Sequence, residues 1–80
     1  MAINYARLRS VTARELIATL IRDGFTLDRQ AGSHQHYYHP DGRRVTVHRS
    51  GDTFEIKTLR TMIGLQACWT EEDLKRLRLL

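Results

Sequence analysis

The chain has 80 residues, enough for one domain and close to the smallest size at which an apolar core holds without disulfide or metal staples. Hydrophobic residues make up 41% and charged residues 28%, which excludes a disordered or membrane-embedded chain, and no apolar run approaches the ~20 residues that cross a bilayer. Thirteen Lys and Arg against nine Asp and Glu leave a net charge of +4, with a pI near 9.8, a balance that suits a polyanionic partner such as a nucleic acid as well as plain solubility.

Residues 1 to 10 carry Ile3, Tyr5 and Leu8 without a period and read as a loosely attached arm. From Thr12 the signals sharpen. Thr12 with Glu15 forms a capping box, and Ala13, Leu16, Ile17, Leu20 and Ile21 recur at helical spacing, so a helix is predicted over 13–23 with Gly24 as its left-handed stop. Arg14 and Arg22 then face water. Phe25 to Arg29 alternates apolar and polar, predicting a first strand with Phe25 and Leu27 turned toward the helix, and 30–32 is a short connection.

The next stretch, Gly32-Ser33-His34-Gln35-His36-Tyr37-Tyr38 followed by His39-Pro40-Asp41-Gly42, predicts a hairpin. Pro40, Asp41 and Gly42 suit a tight loop, so His39 pairs with Arg43 and the strands run over 34–39 and 43–48. That register sets Tyr37 opposite Val45 and Gln35 opposite Val47 on a core face. The other face collects Tyr38 with Arg44, His36 with Thr46 and His34 with His48, and is polar and basic. All four histidines lie on this hairpin, and imidazole is the side chain that exchanges protons near neutrality. Arg43, Arg44, Arg49, Lys57 and Arg60 lie on or just after it, so the positive charge overlaps the histidines.

Ser50-Gly51-Asp52 reads as a loop. A second helix is predicted between Ile56 and Ala67, with Ile56, Leu59, Met62, Ile63 and Ala67 inward, Asp52, Thr53 and Thr58 as alternative caps, and Gly64 as a weak point. Thr70 with Asp73 caps a last helix over 71–78 that packs Leu74 and Leu77. Cys68 is the one cysteine, so no internal disulfide forms, and beside Trp69 it reads as a small buried hydrophobe. The expected fold class is α+β: one domain over 1–80, two layers, a three-stranded antiparallel sheet with helices on one face. With no signal-peptide core at its start, the chain is expected in the cytoplasm.

From the residues alone three readings of the histidines stay open. They could exchange protons with a substrate; His34, His36 and His48 could hold zinc with an open fourth position; or they are ordinary polar sheet residues. A non-catalytic RNA-binding module is a further reading that fits the charge. Tyr37 belongs to the core, whereas Tyr38 could stack on a base or pack at the rim.

Asp23-Gly24-Phe25 closing a helix, then Gly32-Ser33-His34, then His39-Pro40-Asp41-Gly42-Arg43-Arg44-Val45-Thr46-Val47, then Thr58-Leu59-Arg60 opening a helix, resembles the HicA toxins of toxin–antitoxin systems over roughly residues 10 to 68. The resemblance implies a fold like the double-stranded RNA-binding domain, α-β-β-β-α, with residues 69–80 as a C-terminal helical extension. It implies a small endoribonuclease that cleaves mRNA without a metal or other cofactor, acts as a monomer, and is neutralised by a HicB-type antitoxin covering its active surface. It makes His34 the catalytic residue, with Gly32 and Ser33 positioning it. His36 and His48 are candidates for a second proton-transfer group, and Arg43, Arg44, Lys57, Arg60 and Tyr38 for RNA contacts. His48 stands where many members carry proline, and Gly51-Asp52-Thr53-Phe54 replaces a more basic loop.

Overall fold

The computed structural model describes residues 3–48 and 53–80. Helix α1 (Ala13–Asp23) starts at the Thr12 capping box, in which Thr12 and Glu15 satisfy each other's free main-chain N–H groups, and ends at Gly24. Gly24 holds φ +106°, and a Cβ there would stand 3.0 Å from His39 Nε2, so both conformation and space call for glycine. Strands β1 (Thr26–Ala31), β2 (His34–Tyr38) and β3 (Arg44–His48) follow as one antiparallel sheet in the order β1-β2-β3. Helix α2 (Ile56–Leu59) runs on without a break into a π-helical segment (Arg60–Gln66), and α3 (Glu71–Arg76) closes the chain on a capping box of Thr70 and Asp73. The fold is thus α+β, in the α-β-β-β-α order of a double-stranded RNA-binding domain with a short final helix.

One face of the sheet is buried. Tyr37, Val45 and Val47 meet Leu16 and Leu20 of α1, Leu59, Met62 and Ile63 of the long helix, and Leu74 and Leu77 from the last. The outer edge of β3 is covered as well, because Gln66 Oε1 accepts the Thr46 main-chain N–H at 3.1 Å. Among the described residues no helix is long and apolar enough to cross a membrane.

Several expectations are corrected. The segment before Val11 is not a loose arm: Tyr5–Leu8 forms a 3₁₀ turn, Leu8 is fully buried, and the Tyr5 hydroxyl approaches Gly64 so closely that a Cβ there would lie 2.8 Å from it. Four apolar and polar residues in a row hide such a short turn from any periodicity. Ile21 is exposed, since at about 100° per residue it falls about 140° around the helix from Leu16, and Thr19 takes the buried place by bonding the Glu15 carbonyl. Leu27 stays half exposed because β1 is the uncovered edge strand, and β1 starts at Thr26, one residue after the buried Phe25. Cys68 is exposed: it adopts the left-handed φ of +56° that ends the long helix, which turns the thiol outward and Trp69 into the core. Of the caps proposed for the second helix, Asp52 lies outside the described residues; the observed N-cap is Glu55, with no side-chain cap bond.

At the junction of the layers stands Asp23. Its Oδ2 accepts the Trp69 indole N–H at 2.8 Å and pairs with Arg43 at 3.2 Å, while Oδ1 accepts from Arg76 at 3.2 Å. Its main-chain oxygen accepts from His39 Nε2 at 2.9 Å. Burial opposes the charge of this carboxylate, yet the indole, Arg76 and Arg43 together outweigh it and hold its pKa below the usual carboxylate value. A carboxyl whose folded pKa is depressed adds stability that is present above its unfolded value, about 3.9, and is lost as pH falls through the folded one. Unfolding free energy measured by urea titration should therefore be level from neutrality to about pH 5 and drop below about pH 4. Asp23→Asn should cost about 2–3 kcal/mol at pH 7 and make that acid drop shallower.

Candidate active site

The hairpin of β2 and β3 forms in the expected register, with His34 opposite His48, His36 opposite Thr46 and Tyr38 opposite Arg44. Strict alternation then puts these six side chains on the face that no helix covers. A two-residue turn, Gly32-Ser33, enters the hairpin from β1. Gly32 holds φ +60° at its first position while Ser33 does not, the pattern of a type II′ turn that favours glycine and delivers His34 as the first residue of β2.

The rings of His34 and His48 face each other with centroids 4.2 Å apart and planes inclined by 31°. Both residues are exposed. Two imidazoles side by side at the surface can do what one cannot, since one can hold a proton while its neighbour accepts another. His36 is half buried next to them, its Nδ1 3.1 Å from Thr46 Oγ1. Tyr38 lies at the far end of the face, with the Arg44 guanidinium over its ring at 5.1 Å.

The cations separate into two groups. Arg44 shares the histidine face but sits two ladder rows from His34, about 13 Å along the strand at about 3.3 Å per residue. Arg43 is not on this face: its side chain bonds Asp41 at 2.7 Å, Asp23 at 3.2 Å and the Ala67 carbonyl at 2.6 Å, and lies 5.0 Å over the Phe25 ring. Lys57 and Arg60 belong to the helical layer, where Lys57 lines a cleft with Arg9 and Phe54, and Arg60 stands 5.6 Å over the Tyr5 ring. Arg49 and the loop Ser50-Gly51-Asp52 lie outside the described residues. His39, the fourth histidine, is engaged in the fold. A carbonyl oxygen can only accept, so Nε2 carries the hydrogen shared with Asp23, and Nδ1 accepts the Asp41 main-chain N–H at 3.1 Å.

Sequence reasoning missed Arg29. In β1 the register shifts between Leu27 and Arg29, leaving Asp28 as an extra residue, and the shift sets Arg29 opposite His36 instead of on the inner face. The mark in the sequence is slight: after Phe25 and Leu27 the next position of the inward period, 29, is charged, and the turn-favouring Asp28 stands before it. Together Asp28, Arg29, His36, Tyr38, Arg44 and Thr46 border a shallow groove of about 250 Å³ beside the histidine pair. Among the described residues no group of three or more His, Cys, Asp or Glu stands where it could hold a metal ion.

Residues 13–67, well over half of the chain, match the family model described as HicA toxin of bacterial toxin-antitoxin, a span that takes in α1, the whole sheet and the long helix. No individual curated protein matches the chain. The chain belongs to the HicA toxin family, and is the toxin of a bacterial toxin–antitoxin system.

Proposed function

We propose that this toxin is an endoribonuclease that cleaves mRNA by proton transfer, with His34 and His48 as its acid–base pair and no metal ion in the reaction. The single observation that supports this most is the stacked, exposed pair of imidazoles 4.2 Å apart on the free face of the sheet. RNA carries its own nucleophile. One imidazole removes the proton of a 2′-hydroxyl, whose oxygen attacks the adjacent phosphorus; the other gives a proton to the departing 5′-oxygen, leaving a 2′,3′-cyclic phosphate and a 5′-hydroxyl. His34 takes one of these roles and His48 the other. The protonated ring also places positive charge beside the phosphorane as it forms.

Arg29 and Arg44, on the same face, are placed to hold phosphates to one side of the cut, and the Tyr38 ring to stack on a base. This face also suits the neutralising partner. An aromatic and basic surface left uncovered in the isolated toxin is where a HicB-type antitoxin would dock, and docking there excludes RNA from His34. The free toxin is taken as a monomer in the cytoplasm.

His34→Ala should abolish cleavage of a labelled mRNA in gel assays and abolish growth arrest, while circular dichroism shows the fold intact. His48→Ala should lower the rate by about 10²–10⁴ and remove one limb of a bell-shaped pH–rate profile. Wild-type cutting by His34→Ala would show that the chemistry lies elsewhere, and RNA binding by the native toxin without any shortening of the RNA would favour a non-catalytic RNA-binding module. Antitoxin docking on the sheet predicts that Arg44→Glu weakens the complex by roughly tenfold in a titration, whereas Arg14→Glu, on the outward side of α1, leaves it close to native.

A further inference from the structure

The groove next to the histidine pair has a lining that a simple phosphate site would not have. Its lining joins Asp28 to the cations Arg29 and Arg44 and to Tyr38, with His36 and Thr46 and, beneath them, Tyr37 and Val45 of the core face. Neither the side chain of Asp28 nor that of Arg29 makes a hydrogen bond or ion pair among the described residues, whereas the side chains of Asp23, Asp41 and Arg43 are all engaged. A carboxylate repels phosphate oxygens, yet it accepts readily from N–H groups. The Tyr38 ring with the Arg44 guanidinium upon it offers a flat surface for stacking. A flat aromatic surface, a guanidinium and a carboxylate in one groove suit a nucleobase.

The carboxylate also selects among bases. Guanine alone of the four presents two adjacent donors on its Watson–Crick edge, N1–H and the 2-amino group, which match the two oxygens of one carboxylate. Adenine and cytosine place a ring-nitrogen acceptor beside the amino group, and uracil flanks its one N–H with two carbonyls, so each meets the carboxylate with like partial charge. Along the ladder, the row of Arg29, His36 and Thr46 is one step from the row of His34 and His48, about 7 Å at about 3.3 Å per residue. A nucleotide adjoining the scissile phosphate therefore reaches the groove with its base.

We propose that this groove is a guanine-selective pocket for a nucleotide neighbouring the cut, with Asp28 as its specificity-determining residue. The proposal rests on the nuclease reading for its place in the reaction, but its binding can be measured without any reaction. The probes are uridine hexamers of 2′-O-methyl RNA, which lack the free 2′-hydroxyl and stay intact, carrying one guanosine, inosine or adenosine at an inner position. In fluorescence anisotropy the native toxin should bind the guanosine hexamer roughly tenfold more tightly than the adenosine one, with inosine, which lacks the 2-amino group, between them. Asp28→Asn should bring the guanosine and adenosine hexamers to equal affinity, with binding of plain uridine hexamer showing that the variant is folded. Equal affinity of the native toxin for guanosine and adenosine, or a guanosine preference that survives Asp28→Asn, overturns the proposal. Failure of the nuclease reading shows separately, as unmodified mRNA left intact or as cutting that does not depend on His34.

Discussion

The Asp23 carboxylate gathers three elements of the fold at one polar centre. The end of α1, the loop of the hairpin through Arg43, and the start and end of the final helical segment through Trp69 and Arg76 all meet at its two oxygens, while its main-chain oxygen holds His39. Such a charge tolerates burial because both of its oxygens meet donors, and taking one donor away would leave the carboxylate under-satisfied. Its consequence reaches the other side of the molecule. With His39 and Arg43 drawn inward at the loop, alternation along β2 and β3 obliges His34, His36, Tyr38, Arg44 and His48 to face out. The helices are fastened to one side of the sheet, and the other is left uncovered.

Net charge alone says little about the surface of this toxin; the separation of the cations says more. Arg43 is consumed in holding the fold and Arg60 rests on Tyr5, so neither offers a free guanidinium to the histidine face. Arg29 and Arg44 do. A bulge in the edge strand supplies the first of them together with a carboxylate, which turns a positive surface into one with positions for different chemical groups.

How much of this was legible in the chain depends on the physics behind each signal. The hairpin register could be counted residue by residue, because Pro40, Asp41 and Gly42 admit few loop lengths and a slip of one residue would have buried Arg44 and exposed Val45. Both capping boxes were equally plain, since their bonds join residues three apart. Long-range chemistry was not. Asp23 looked like the last polar residue of a helix, and only the approach of Trp69 and Arg76 from the far end of the chain gives it a role. Cys68 and Leu8 were misjudged for related reasons: a non-glycine residue in a left-handed turn and a single turn of 3₁₀ helix both take their direction from tertiary packing rather than from local pattern. Arg29 differs: a charged residue where the alternation of Phe25 and Leu27 turns inward is a local mark of the bulge, though a faint one without a glycine.

The two imidazoles come from one unbroken segment, 34–48, and their spacing is that of directly opposed residues in an antiparallel ladder. Main-chain hydrogen bonds of the hairpin, rather than the packing of distant helices, therefore set the distance between the two rings. A substitution on the helical surfaces of the far side that leaves the hairpin paired therefore leaves that spacing as it is.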